Sequence, residues 1–322
     1  MKQTKEIYNE VMAYCREHGL IKRLEKSFHV PESQRFNALD VGKSGLDVLD
    51  AVHCIYDASR TNFFMEELVK NVSVGDRVLE AGIGTGILSF CAAALGAKVY
   101  GCEINPAVFE LAEKIKEHLE TRRLIPPASV TFFLHDAMTF TPPEKVDVLI
   151  SENIYTGMFF EYQVQITNHL LSHLRPGGIS IPKTMRSFVS LTETHFPRTP
   201  KDKELFIPSE ESGKEMTYAL LSDPHQYDDI NFSAVSPVSV DRTLVIEAKS
   251  SGSLNGLLIY SEVLLPSGKV IGKDDTTFLN NEIVVALSPS ISVTKGDKVK
   301  LALAYAYSGK PEDAKIRITK LN

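Results

Sequence analysis

The sequence of 322 residues has no tryptophan, no clustered cysteines and no long apolar run. Its four cysteines, Cys15, Cys54, Cys91 and Cys102, form no C-x-x-C pattern, which argues against a cysteine metal site or a disulfide-stapled secreted fold. Cys91 and Cys102 fall in apolar stretches, so buried free thiols in a reducing, cytoplasmic setting are expected. No stretch approaches the roughly 20 apolar residues that cross a bilayer, and Met1-Lys-Gln-Thr-Lys-Glu-Ile7 lacks the apolar core of a signal peptide. Neither a membrane partner nor export is expected. Lysine and arginine number 35 against 41 aspartates and glutamates, a net charge of −6, and there is no basic block. That balance excludes the electrostatic footprint of a nucleic-acid binder and suits a cationic partner. The remaining composition, 43% hydrophobic and 24% charged, is that of a globular chain long enough for two domains. No internal repeat is visible.

The densest signal is Val78-Leu-Glu-Ala-Gly-Ile-Gly-Thr-Gly-Ile-Leu88. A hydrophobic strand runs into Glu80, and Gly82, Gly84 and Gly86 follow at alternate positions. The helix-forming run Ile87 to Leu95 comes next. Glycines serve where a backbone turns sharply beside a ligand, and the helix start behind them points N–H groups at that ligand. A second strand, Lys98 to Cys102, ends in Glu103, placed to hold two ribose hydroxyls. The spacing is not the G-x-G-x-x-G of a dinucleotide site. E-x-G-x-G-x-G resembles motif I of the S-adenosylmethionine-dependent methyltransferases. The resemblance implies that cofactor, with Glu80, Gly82, Gly84, Gly86 and Glu103 at its site.

Around this turn the periodicity predicts an N-terminal helical segment, residues 1–70. It includes helices over 3–18, 45–52 and 57–71; residues 20–45 carry no clear pattern. From 71 to 182 strands and helices alternate, which implies a Rossmann-like α/β domain with a parallel sheet. Its strands include 130–134 and 146–150, its helices include 106–123 and about 160–174, and Arg175-Pro-Gly-Gly178 reads as a turn before a strand at 179–181. Ligands of such sheets bind at the strands' carboxyl ends, where Glu80, Glu103, Asp136 and Glu152 fall; Asp136 suits an adenine edge. From 183 to 322 the period changes to two. Strands at 188–192, 243–247, 257–260 and 298–307 imply an antiparallel β-barrel-like domain, with the tyrosines at 305 and 307 as its packing. Residues 196–233, rich in proline and charge, read as an excursion or loop. His169 and His173 are four apart on a helix, but no third ligand is evident and no metal is expected.

Downstream of the fourth strand, Ser151-Glu-Asn-Ile-Tyr-Thr-Gly-Met-Phe-Phe-Glu161 places two glutamates on one loop with Gly157 between them. Paired carboxylates suit a guanidinium, which presents a planar fork of donors. This stretch, with Leu174-Arg-Pro-Gly-Gly-Ile-Ser-Ile-Pro182 and the order of helices, nucleotide-binding domain and β domain, resembles the protein arginine methyltransferase family. The resemblance implies that Glu152 and Glu161 grip a guanidino-bearing substrate in a protein, peptide or small molecule. It also implies that Arg60, in Arg60-Thr-Asn-Phe-Phe64, holds the cofactor carboxylate, and that the chain forms a homodimer. The sequence departs from the family at several points. Asn153-Ile-Tyr155 replaces tryptophan, methionine and glycine, and Gln163 replaces a methionine. The region of the family's Thr-His-Trp loop reads roughly Leu279-Asn-Asn-Glu282. Another amine or hydroxyl acceptor, or a non-catalytic cofactor-binding relative, is therefore kept open.

Overall fold

The computed structural model describes residues 1–27, 45–208, 216–276 and 281–321. Among the described residues, four helices precede the first sheet: α1 (Lys2–Glu17), α2 (Leu20–Ser27), α3 (Val48–Tyr56) and α4 (Ala58–Asn71). The apolar stripe of α1, Ile7, Val11, Met12 and Cys15, is buried. α3 begins later than the sequence implied because Asp47 and Asp50 form a reciprocal capping box there. Asp57 is not the first residue of α4 but its cap: its carboxylate accepts the Arg60 N–H at 3.0 Å and so fixes the turn that carries Arg60.

The central sheet is parallel, with order β3-β2-β1-β4-β5. Its strands are β1 (Arg77–Ala81), β2 (Lys98–Glu103), β3 (Val130–Leu134), β4 (Val146–Ser151) and β5 (Leu174–Ile181), with α5 (Ile87–Ala94), α6 (Pro106–Thr121) and α7 (Gln163–Leu170) between them. α6 starts at Pro106 behind the Asn105 cap, where a missing N–H costs nothing. The strand order reverses between β1 and β4, so the crevice beyond their carboxyl ends is a topological switch point. Strand β5 is longer than 179–181. The Arg175–Gly178 segment is an irregularity inside it, because Val146 pairs with Leu174 and Val148 with Ile179.

Beyond Pro182 the strands pair antiparallel in a seven-stranded and a three-stranded sheet. The larger sheet contains β6 (Thr184–His195), β7 (Leu205–Phe206), β8 (Thr217–Leu220), β9 (His225–Asn231), β11 (Gly252–Leu264), β12 (Val270–Ile271) and β13 (Ile283–Val293). The smaller contains β10 (Ser239–Glu247), β14 (Lys298–Ala306) and β15 (Lys315–Leu321). The stretch 196–233 is thus not only a loop, since β7, β8 and β9 lie in it. β8 and β9 follow one another along one edge of β6, where mostly exposed side chains gave no alternating pattern to read. On β14, Val299, Leu301, Leu303 and Tyr305 are buried and Lys298 and Lys300 exposed, as the period of two requires.

Helix α4 is tied to the β sheets by a buried carboxylate. Glu67, only 1% exposed, accepts the N–H and hydroxyl of Ser267, both at hydrogen-bond distance (2.7 and 2.5 Å), and the Asn71 amide at 2.7 Å. Removing it would strand those donors, so Glu67→Ala is expected to cost about 2–3 kcal/mol in thermal denaturation. Lys70→Ala, which removes an exposed bond to the same serine, is expected to cost less than about 0.5 kcal/mol.

Candidate active site

One cavity opens at the switch point, enclosing about 1110 Å³ including its mouth. Glu80, Gly82, Gly84, Glu103, Asp136, Glu152, Glu161 and Arg60 all line it. Gly86, taken from the sequence as a cofactor contact, is not among the lining residues. It serves the fold: with φ +82° it starts α5, and a Cβ there would come within 2.7 Å of the Phe90 ring. Gly82 has φ +73°, and a Cβ on it would lie 2.5 Å from Oδ1 of Asn153. The glycine turn and the glutamate loop are therefore in direct contact.

The carboxyl groups have different surroundings. Glu80 is 4% exposed and turns toward α5, accepting the Ser89 N–H at 2.8 Å and the Ser89 hydroxyl. Burial pushes its carboxyl up to about 8, against the pull of the Ser89 bonds and with further push from Glu103. Its first contact is thus with the helix that follows the turn. Glu103, 6% exposed, accepts the N–H of Asn105 at 3.0 Å and of Gly84 at 3.2 Å. Burial raises its pKa and those N–H groups oppose the rise. Asp136 accepts the Met138 N–H at 2.8 Å and lines the cavity.

Arg60 and Glu152, assigned by resemblance to opposite ligands, form an ion pair with each other. Their side chains are 12% and 8% exposed. Arg60 also donates to the Cys54 carbonyl at 2.9 Å, while its Nε is buried without a partner. Thr85 Oγ1, on the glycine turn, is likewise buried without a partner, and both residues line the cavity. Glu161 is half-buried, and among the described residues no donor reaches its carboxylate. Burial pushes its carboxyl up to about 7, with added repulsion from Asp50 and Glu103. The cavity therefore presents five carboxyl groups, Glu80, Glu103, Asp136, Glu152 and Glu161, to one guanidinium, that of Arg60, among the described lining residues.

Two polar residues that the sequence showed only as departures brace the loop. Gln163, fully buried, accepts the Ser151 hydroxyl at 3.1 Å and the Asn153 N–H at 2.9 Å, and donates to Thr167 at 3.3 Å. The Asn153 amide donates to the Ala81 carbonyl at 3.0 Å, joining the base of the loop to the end of β1. The polarity of Asn153 just past β4 and of Gln163 at the start of α7, both where the family has apolar residues, was the available signal. His169 is used locally: Nε2 lies 2.8 Å from the Phe140 carbonyl and the ring meets His173 edge-on. No group of residues suited to a metal ion is found among the described residues. Leu279 and Asn280, the start of the expected counterpart of the Thr-His-Trp loop, lie outside the described residues. Asn281 accepts the Thr156 hydroxyl at 2.7 Å through its carbonyl, and Glu282 is paired with Lys273 at 2.9 Å and Tyr218 at 2.7 Å.

Residues 78–178 match the family model described as "Methyltransferase domain". An uncharacterized protein of Methanocaldococcus jannaschii is 27% identical over 81% of this chain and 93% of its own length. The arginine N(omega)-methyltransferase of Streptomyces achromogenes subsp. streptozoticus is 32% identical over 40% of this chain and 36% of its own. Protein arginine N-methyltransferase 2 of Xenopus tropicalis is 31% identical over 40% and 29%. The chain thus spans about a third of the length of the arginine methyltransferases it matches. In overall fold it resembles a chain of the Trypanosoma brucei PRMT1 enzyme–prozyme heterotetrameric complex with AdoHcy. That match has a TM-score of 0.63 at 15% identity, over 83% of this chain and 96% of that one. A methyltransferase domain model thus lies over the glycine turn and the cavity, and in sequence and fold the chain is similar to arginine methyltransferases.

Proposed function

We propose that the enzyme methylates a guanidino nitrogen of an arginine-type acceptor, in a protein, a peptide or a small molecule, with Glu152 and Glu161 as its clasp. The observation that carries this reading is the carboxyl lining of the cavity: five carboxyl groups line it with one arginine, and the Glu161 carboxylate has no hydrogen-bond partner among the described residues. A planar cation with several donors answers that deficit better than a neutral acceptor does. The Arg60–Glu152 pair supports the reading from a second side, because Glu152 already accepts a guanidinium there.

The residues fit the cofactor as well. Arg60 would hold its carboxylate, using the Nε left without a partner. Glu103 would hold the ribose hydroxyls and Asp136 the adenine edge, while the backbone of Gly82 and Gly84 lets the chain pass close. When bound, the cofactor supplies an activated methyl group on a sulfonium. What the protein adds is placement and electrostatics. A guanidinium is not deprotonated at neutral pH, so the glutamates must act on its charge distribution. One carboxylate orients the fork through two N–H groups. The other draws positive charge away from the attacking nitrogen, and Glu161, with its carboxyl near neutrality, is suited to receive the released proton. Four free cysteines are in keeping with a cytoplasmic enzyme.

Glu161→Gln and Glu152→Gln are each expected to lower kcat by about 100-fold or more, while titration calorimetry still detects the cofactor in the Glu161 variant. Turnover within about threefold of the parent in both variants would remove the clasp. The pH dependence has a definite sign. The Glu161 carboxyl stands at about 7 in the ligand-free protein against 4.5 for an ordinary glutamate, so between those values the folded state holds the extra proton. Stability is therefore full below about 4.5 and declines as pH rises toward about 7, where the charge is finally carried unpaired. Glu161→Gln is expected to raise the thermal midpoint of ligand-free protein by several degrees at about pH 8 and to leave it unchanged at about pH 4. Acceptor KM should fall as pH rises through about 7, because only the ionised carboxylate pairs with the cation.

A further inference from the structure

The loop that carries Glu152 and Glu161 is held from outside the cavity, by the β sheets. Gly157 has φ +66°, and Met158 and Phe160 hold φ of 56° and 62°, conformations that side-chain-bearing residues keep only when their surroundings enforce them. The surroundings here are hydroxyl groups. The Gly157 N–H donates to Ser261 Oγ at 3.0 Å, and its carbonyl accepts the Tyr305 hydroxyl at 2.7 Å. Ser261 lies 2.9 Å from the Ser187 hydroxyl, and Tyr305 lies 2.8 Å from the Tyr227 hydroxyl. Two arms of hydroxyl groups thus meet at Gly157.

Hydrogen bookkeeping fixes the direction of one arm. Tyr305 spends its hydrogen on the Gly157 carbonyl, so Tyr227 donates to Tyr305. In the other arm Ser261 accepts the Gly157 N–H and shares a second bond with Ser187. All four residues are buried, at 1%, 0%, 2% and 7% exposure for Ser187, Ser261, Tyr227 and Tyr305, so no water competes. They come from four strands in both sheets. Ser187 on β6 and Ser261 on β11 are cross-strand partners, Tyr305 is on β14, and Tyr227 sits at the register shift of β9, where a bulge re-aims a side chain. A Cβ at 157 would be crowded as well as strained, with the Phe159 ring 3.0 Å away and the Tyr227 hydroxyl 3.1 Å. The next residues are held as well: Ser308 N–H donates to Met158 O at 2.8 Å and Ser308 Oγ to Glu161 O at 2.8 Å, while Phe159 stacks on Tyr305 at 4.5 Å.

We propose that Ser187, Tyr227, Ser261 and Tyr305 are positioning residues for methyl transfer. Their two pairs of hydroxyls grip both backbone groups of Gly157 and fix the separation and aim of Glu152 and Glu161 before the acceptor arrives. This rests on the clasp reading of those two glutamates. Removing the Tyr305 hydroxyl alone leaves the Gly157 carbonyl and the Tyr227 hydroxyl without partners in a dry site, and the loop must shift to recover them.

The test compares two phenylalanine variants. Tyr305→Phe keeps the stack on Phe159 but removes the bond to the Gly157 carbonyl. Tyr307→Phe removes an equally buried phenol whose hydroxyl bonds to Asp228 at 2.5 Å and not to the loop. Both should lower the thermal midpoint. Only Tyr305→Phe should lower kcat, by about tenfold or more, with cofactor affinity and acceptor KM within about twofold. Only Tyr305→Phe should speed amide hydrogen exchange in 152–161 while leaving that of 82–90 unchanged. Equal kcat losses in the two variants, or unchanged loop exchange in Tyr305→Phe, would overturn the proposal. If the parent enzyme methylates no guanidino acceptor, the functional reading fails on its own, and the exchange comparison between the two variants decides whether the hydroxyl pairs hold the loop.

Discussion

A carboxyl group taken out of water needs either a cation, donors or a proton, and this cavity gathers five such groups around one arginine. The three remedies are divided among them. Glu103 takes backbone N–H groups from Gly84 and Asn105, Glu80 takes Ser89, and Glu152 takes Arg60. Glu161 has only the proton, which is why its carboxyl rises to about 7. Without ligands the site is thus held in an electrostatic deficit, and cations that enter recover what the fold gave up to build it. The parallel sheet makes this concentration hard to avoid. Its strands end on one rim, and Glu80, Glu103 and Glu152 are each the last residue, the next to last or the first beyond a strand.

Elements whose function leaves a local mark were legible in the sequence. Glycines at 82 and 84 mark a turn pressed against something, and alternation from Lys298 to Tyr305 marks a half-buried strand, since both patterns report backbone or burial directly. The glutamates at 152 and 161 were legible as a pair because one loop holds both, and the cavity does bring them together. Gly86 misled for an equally local reason. A glycine forced by φ +82° and the Phe90 ring looks the same in sequence as one forced by a ligand.

What was hidden is long-range. The partner of Arg60 is 92 positions away, and that of Gly157 lies 148 positions away on β14. No periodicity reports such a contact. Tyr305 and Tyr307 read as packing, and both are buried as packing would have them, yet their hydroxyls go to different places, one to the glutamate loop and one to Asp228. The short strands β8 and β9 were illegible for a different reason. They add to the edge of β6 with few buried side chains, so their hydrogen bonds, not their sequence pattern, define them.

The contact between the glycine turn and the glutamate loop has a mechanical consequence. The Asn153 amide hangs from the Ala81 carbonyl and sits where a Cβ on Gly82 would lie. A side chain at position 82 would push that amide off its anchor, so a displacement of the turn is transmitted to the base of the loop, and the two walls of the cavity move as one piece.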